Sequence, residues 1–179
     1  MLNEIVCAGL GGQGVLTAGK IMMHVAAEKG LNTTWFPSYG NEMRGGAANC
    51  NVMISDEKVA SPYADHPDIL FAMAERAIDT YMNPMKKGSI IIANSTIIPE
   101  DKEYRDDIKV VKVPATELAQ KLGNERSANI VLLGAMIKHT SIFSKEDFEK
   151  YMCSYFESQG KGKRNEQNVK AFEAGYDYI

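Results

Sequence analysis

The fold this sequence predicts is an α/β domain on a mostly parallel sheet, and three observations carry that prediction. Short apolar runs of strand length alternate with longer stretches of helical period. A glycine-rich loop stands between the first such run and the first helical stretch, and the last third of the chain is helical in pattern throughout. At 179 residues and 45% hydrophobic content the chain suffices for one domain with a sizeable core, so residues 1–179 are read as a single unit.

Leu2 to Ala8 reads as a buried strand, and Val15 to Lys29 as a helix whose apolar face is Leu16, Ile21, Met22, Val25 and Ala26. Gly30 stops that helix, and Thr33-Thr34-Trp35-Phe36 is a β-branched and aromatic second strand that closes a right-handed βαβ unit and ends at Pro37. Pro37 to Gly46 is polar, glycine-rich and without period, hence a loop. Ala47 to Ser55 resumes as a strand, and the turn Asp56-Glu57 leads to a short antiparallel strand at Lys58 to Ser61.

Asp68 to Ala72 is a strand feeding the helix Glu75 to Met82, which Lys86-Lys87-Gly88 closes with two cations and a glycine cap. Ser89 to Ala93 is the most apolar strand and takes a central place, with a further strand at Ile108 to Val113. Helices follow at Thr116 to Leu122, Asn129 to His139, Ser144 to Glu157 and Asn165 to Ala174. Ser144 ahead of Glu146 and Asp147 is a sound helix start.

A net charge of −3 gives no general attraction to nucleic acid or anionic lipid, so an anionic ligand has to be held by local geometry. Three cysteines, Cys7, Cys50 and Cys153, have no C-x-x-C spacing and build neither a zinc site nor an iron–sulfur cluster on this chain alone. They fit a reducing, cytoplasmic home. Met1-Leu2-Asn3-Glu4 opens no signal peptide, the first apolar run is too short to span a membrane, and the mature chain is expected to start here.

Gly9, Gly11 and Gly14 satisfy G-x-G-x-x-G between strand and helix, the Rossmann-like context in which backbone N–H groups and a helix N-terminus meet a pyrophosphate. Gly9 is expected to make the tight turn, Gly11 to admit the ligand to the backbone and Gly14 to let helix pack on strand, while Gly12 adds a further bare approach. A nicotinamide cofactor also needs a carboxylate at the end of the second strand. Trp35-Phe36-Pro37 stands there instead, and Glu28 lies within the helix. A glycine turn serving packing alone is the alternative.

The second loop, Ser38 to Gly46, sets Tyr39, Glu42 and Arg44 among glycines that include Gly45 and Gly46, at a carboxyl strand end where open sheets bind ligands. Arg44 suits a phosphate or carboxylate, and Glu42 can orient it. Asn94 emerges on the same edge as a supporting contact or a turn former. Asn129 is explained by capping, and Gly134 allows close packing, conceivably against another subunit. His139 ends a helix where a cation suits the dipole, although a plain structural role explains all three histidines. Lys161-Gly162-Lys163-Arg164 reads as a solvated linker, and most of the ten methionines as core filling. No catalytic residue and no metal ligand is assigned.

"GLGGQG", followed by "FPSYGNEMRGGAANCNVMISDEKVASP" and then "ERSANIVLLGA", closely resembles the gamma subunit of the 2-oxoacid:ferredoxin (acceptor) oxidoreductases over essentially the whole chain. The resemblance implies a multisubunit enzyme, with a pyruvate/ketoisovalerate oxidoreductase catalytic-type domain. Such an enzyme decarboxylates a 2-oxoacid on thiamine diphosphate with Mg2+, passes electrons through iron–sulfur clusters to ferredoxin and releases an acyl-CoA. It implies that alpha, beta and delta subunits hold those groups, while the gamma chain serves assembly and the coenzyme A side.

"SYGNEMRGGAANC" is more similar to the 2-oxoglutarate and branched-chain (2-oxoisovalerate) types than to the pyruvate type, which reads closer to "YGPERRGAP". Asn41 stands where proline is common in the family. On this resemblance Gly11 to Gly14 is expected to cradle the coenzyme A pyrophosphate, with Gln13 donating side-chain hydrogen bonds. Two alternatives stay open, a stand-alone nucleotide-binding protein and a purely structural subunit. An orphan chain with an exposed apolar interface is also expected to form a homodimer in isolation.

Overall fold

The computed structural model describes residues 1–39 and 46–178. Its strands are β1 (Leu2–Leu10), β2 (Asn32–Tyr39), β3 (Ala47–Ser55), β4 (Ile69–Ala72), β5 (Ile90–Asn94) and β6 (Lys109–Val113). They form one sheet in the order β2-β3-β1-β4-β5-β6. β1, β4, β5 and β6 run parallel, whereas β3 is antiparallel to both of its neighbours. The helices are α1 (Val15–Glu28), α2 (Glu75–Tyr81), α3 (Ala115–Lys121), α4 (Ala128–Thr140), α5 (Lys145–Ser158) and α6 (Asn165–Tyr176).

Alternation along the strands sorts side chains into two cores. Ile5, Cys7, Phe71 and Ile92 join α1, α3, α4, α5 and α6 on one face, while Val6, Ala8, Leu70 and Ile91 meet α2 on the other. The fold is therefore a three-layer α/β domain with its helices unequally shared between the faces. α4 is buried at every residue from Ala128 to Ile137, the behaviour of a helix that is apolar all round.

Several local expectations are corrected by the structure. Lys58 to Ser61 is not a strand, and the antiparallel addition to the sheet is β3, inserted between β1 and β2. Pro37 does not end β2 but lies inside it opposite Cys50, tolerated because β2 is the edge strand, where a missing N–H breaks no ladder. β5 is interior but stands one place from the β6 edge rather than at the centre.

Lys86 does not serve the end of α2. It pairs with Asp68 at 2.9 Å and Glu4 at 3.3 Å, while Arg105 donates to the carbonyls of Met82, Asn83 and Met85 just beyond that helix. Gly134 packs within the chain, since a Cβ there would fall on the Phe172 carbonyl oxygen, and Gly175 faces Val131 in the same way. α4 and α6 thus cross with backbones nearly in contact. Two expectations are met by capping geometry: Gly30 ends α1 with φ +72°, and the Ser144 hydroxyl accepts from the Asp147 N–H at 3.2 Å.

Candidate functional site

The loop after β1 is held from within. Gln13 Oε1 accepts from the Leu10 N–H at 2.7 Å and its Nε2 donates to the Met73 carbonyl at 3.2 Å, so the side chain straps the loop to the end of β4. Half of the amide's capacity is spent there, leaving one Nε2 hydrogen and one Oε1 lone pair for a ligand. Gly9 is the last-but-one residue of β1 rather than a turn residue. Its Cβ would lie 2.5 Å from Gln13 Oε1 and 2.8 Å from Met73 Cβ, so its bareness admits the strap.

The other three glycines divide the remaining work. Gly11 donates its N–H to the Gly46 carbonyl at 2.9 Å, which joins the two glycine loops. Gly12 has φ +93° with open space around it, and Gly14 has φ +74° at the N-cap of α1. A Cβ on Gly14 would meet Asn129 Nδ2 at 2.5 Å, so this glycine faces α4 rather than the strand. α1 carries no side-chain cap and no acidic residue in its first turn, which leaves its N–H groups and positive dipole end unspent.

A cleft of about 520 Å³ opens beside this loop, lined by Gly12, Gln13, Met73, Ile97, Thr116 and the segment from Gly123 to Arg126. Gly12 and Gln13, Met73, Ile97 and Thr116 follow the carboxyl ends of β1, β4, β5 and β6, the edge where open parallel sheets bind ligands, and the segment between α3 and α4 supplies the rest. Arg126 is exposed and has no ion-pair partner among the described residues, so it is the free cation of the lining. Asn94 is fully buried and does not reach the cleft. Its Nδ2 donates to Thr116 Oγ1 at 2.9 Å, and its Oδ1 accepts from the Thr116 N–H at 3.3 Å.

Of the candidate binding residues singled out in the sequence that lie among the described residues, the structure brings Gly12 and Gln13 to the wall of the cleft. Ser38 and the Tyr39 backbone lie on β2, two strands from β1, and Gly46 reaches the first loop through Gly11. Glu42, Arg44 and Gly45 lie outside the described residues. Asn129 stands at the second helical position of α4 rather than at its N-cap; its Oδ1 accepts from the first-turn Ile130 N–H at 3.0 Å, which meets part of the capping expectation, and its Nδ2 donates to the Gly14 carbonyl at 3.0 Å.

Thr116, Asn124 and Arg126 were missed. The signal for Thr116 was its place just after the β6 strand, on the ligand edge of the sheet. Arg126 stood in the quoted ERSAN segment without a structural reason to weigh it.

The cysteines offer no reactive centre and no cluster. Cys7 and Cys50 are cross-strand partners, both fully buried, and burial pushes the Cys7 thiol well up, with the Cys50 hydrogen bond adding to it. Cys153 sits apart on α5, so the donor set does not fit an iron–sulfur cluster. Among the described residues no group of three or more His, Cys, Asp or Glu side chains is placed to hold a metal, and no helix is long and apolar enough to cross a membrane.

Comparison with known proteins places this geometry among relatives. Residues 4–178 match the model of the pyruvate ferredoxin/flavodoxin oxidoreductase family. The ketoisovalerate oxidoreductase subunit VorA of Methanothermobacter marburgensis is 36% identical over 176 residues, covering 98% of this chain and 36% of that protein. The chain thus spans about a third of the length of that relative. The 2-oxoglutarate synthase subunit KorC of Methanocaldococcus jannaschii is 37% identical, with 99% of this chain and 94% of the relative covered. Among solved structures, the gamma subunit of a keto/oxoacid ferredoxin oxidoreductase from Geobacter sulfurreducens superposes with a TM-score of 0.81 at 33% identity, covering 98% of this chain and 96% of that one.

Proposed function

The chain belongs to the pyruvate ferredoxin/flavodoxin oxidoreductase family, and on that premise we propose that it is the gamma subunit of a heteromeric 2-oxoacid:ferredoxin oxidoreductase. The complex converts a 2-oxoacid and coenzyme A to acyl-CoA and CO2 and reduces ferredoxin. Relatives named for 2-oxoglutarate and ketoisovalerate support those acids, rather than pyruvate, as the substrate class. The iron–sulfur clusters belong to partner subunits, because the three thiols here are too few and too scattered to ligate one, and thiamine diphosphate with Mg2+ is assigned to the alpha, beta and delta partners with them.

One observation carries the role of this chain within the complex. The bare backbone at Gly12 and the unpaired Arg126 line one cleft, and Gly12 stands two residues ahead of Gly14, the uncapped start of α1. Among the reactants, coenzyme A is the one that carries a pyrophosphate. The chain accordingly supplies the coenzyme A side of the site, and Gln13 and Asn129 hold the glycine loop in shape beneath it. It contributes binding and orientation rather than a nucleophile or a proton-transfer group.

The test is an anaerobic pull-down of the tagged chain from its own cells, with the eluate assayed for coenzyme A-dependent dye reduction on pyruvate, 2-oxoglutarate and 2-oxoisovalerate. Partner subunits and turnover of 2-oxoglutarate or 2-oxoisovalerate are the expected result. A chain recovered alone and inactive, with no rescue by added cofactors, would remove the proposal.

A further inference from the structure

We propose that Thr116 is a ligand-binding residue of the cleft, its hydroxyl aimed by the buried Asn94 to donate a hydrogen bond to a phosphate oxygen. The inference rests on reading the cleft as the pyrophosphate-binding side of the complex. It adds a donor on the wall facing the glycine loop and assigns Asn94 the part of positioning residue.

The Thr116 backbone N–H can only donate, so the Asn94 atom it meets at 3.3 Å is the carbonyl oxygen Oδ1. That fixes the amide, and the atom facing Thr116 Oγ1 at 2.9 Å is the donor Nδ2. Thr116 Oγ1 is thereby an acceptor toward Asn94, and its own hydrogen must point elsewhere. Among the described residues no acceptor takes that hydrogen, although Thr80 and Thr140 each donate to a carbonyl four residues back.

Thr116 is only 9% exposed, and the space it lines is the cleft shared with Gly12 and Arg126. Asn94 has no freedom to release it. It is fully buried, its backbone is held by the N–H groups of Ile97 and Ile98 on its main-chain carbonyl, and its side-chain amide is bonded to Thr116 at both ends. The hydroxyl on the cleft wall therefore keeps a donor that no protein acceptor among the described residues occupies, and a ligand oxygen in the cleft can take it. Arg126 on the same lining favours an anionic oxygen there, in competition with the carboxylate of its neighbour Glu125.

Inorganic pyrophosphate titrated into the full chain by calorimetry tests this. Thr116→Val keeps the shape and removes the hydroxyl, and is expected to weaken binding about tenfold, the effect of one hydrogen bond to a charged group. Thr116→Ser restores the donor and should bind within about twofold of wild type. Circular dichroism verifies folding, and Thr116→Ala replaces the valine variant if that one unfolds. Equal affinity of wild type and hydroxyl-free variant, failure of serine to rescue, or no binding by wild type at millimolar pyrophosphate would each overturn the proposal. None of these bears on membership of the complex, which co-purification reads, and a chain that purifies alone leaves the titration equally decisive.

Discussion

Asn129 Nδ2 donates to the Gly14 carbonyl at 3.0 Å, tying the first turn of α4 to the start of α1 across 115 positions of sequence. The same side chain crowds Gly14, whose Cβ would lie 2.5 Å from that nitrogen, so the contact and the glycine depend on each other. Asn129→Ala is expected to cost about 1.5 kcal/mol, the value of a largely buried hydrogen bond. Gly14→Ala adds a left-handed alanine to a clash and should cost about 3 kcal/mol. In the double variant the clash is relieved, so the loss should fall short of the sum by about 1 kcal/mol. Urea unfolding of the four proteins reads this, and strict additivity would show the two residues to be independent.

Where α4 crosses α6, Gly134 and Gly175 each face a backbone carbonyl of the other helix. Backbone cannot swing aside as a side-chain tip can, so alanine at either position has to push the helices apart. Gly134→Ala or Gly175→Ala should destabilise by about 3 kcal/mol or more, despite alanine's better helix propensity. Thermal unfolding decides the sign, and a variant as stable as wild type would mean that the crossing is looser than described.

Gly12 is the contrasting case. Its φ of +93° strains an alanine, but nothing lies within reach of the added Cβ, so Gly12→Ala should cost only about 1 kcal/mol. The methyl group would sit at the wall of the cleft, and pyrophosphate affinity should fall severalfold. Denaturation and calorimetry on one preparation separate the two effects. A large stability loss with intact binding would assign Gly12 to the architecture of the loop.

What the sequence revealed of this molecule follows from the range of the forces involved. β1, α1 and β5 were legible because Ile5-Val6-Cys7-Ala8, the apolar face of α1 and Ile90-Ile91-Ile92 write their burial into local pattern. Lys58 to Ser61 misled because a turn-like pair before a short tetrapeptide says nothing of which edge is free to pair. Pro37 misled because edge and interior strands differ in sheet order rather than in composition.

The site was legible only as a loop. GLGGQG announces a bare turn before a helix, yet the residues that complete its cleft lie far along the chain, at Thr116 and Arg126. Asn129 shows the same limit. At the start of a helix an asparagine reads as a cap, and only the fold reveals Gly14 across from it.

His139 supplies a prediction in which two electrostatic effects compete. It lies in the last turn of α4, where the helix dipole favours a cation, yet burial and the nearby charges of Lys109 and Lys138 hold its imidazole below the ordinary value of 6.5. Burial is the largest cause, and His139 Nε2 has no hydrogen-bond partner in the fold, so the neutral ring is the favoured form. On acidification the unfolded chain therefore takes up its proton first. Between pH 6.5 and the lower folded value the unfolded state binds more protons, so this contribution to stability falls as pH falls.

Asp107 and Asp147 also lose stabilising interactions on acidification, but both are held below an ordinary value of 3.8, by Arg105 and Lys29 respectively, which puts their window far lower. Denaturant unfolding of wild type and His139→Gln from pH 7.5 to 5 should show the wild type losing stability relative to the variant below about pH 6.5. Parallel profiles would mean that the dipole, rather than burial and the lysines, governs this histidine.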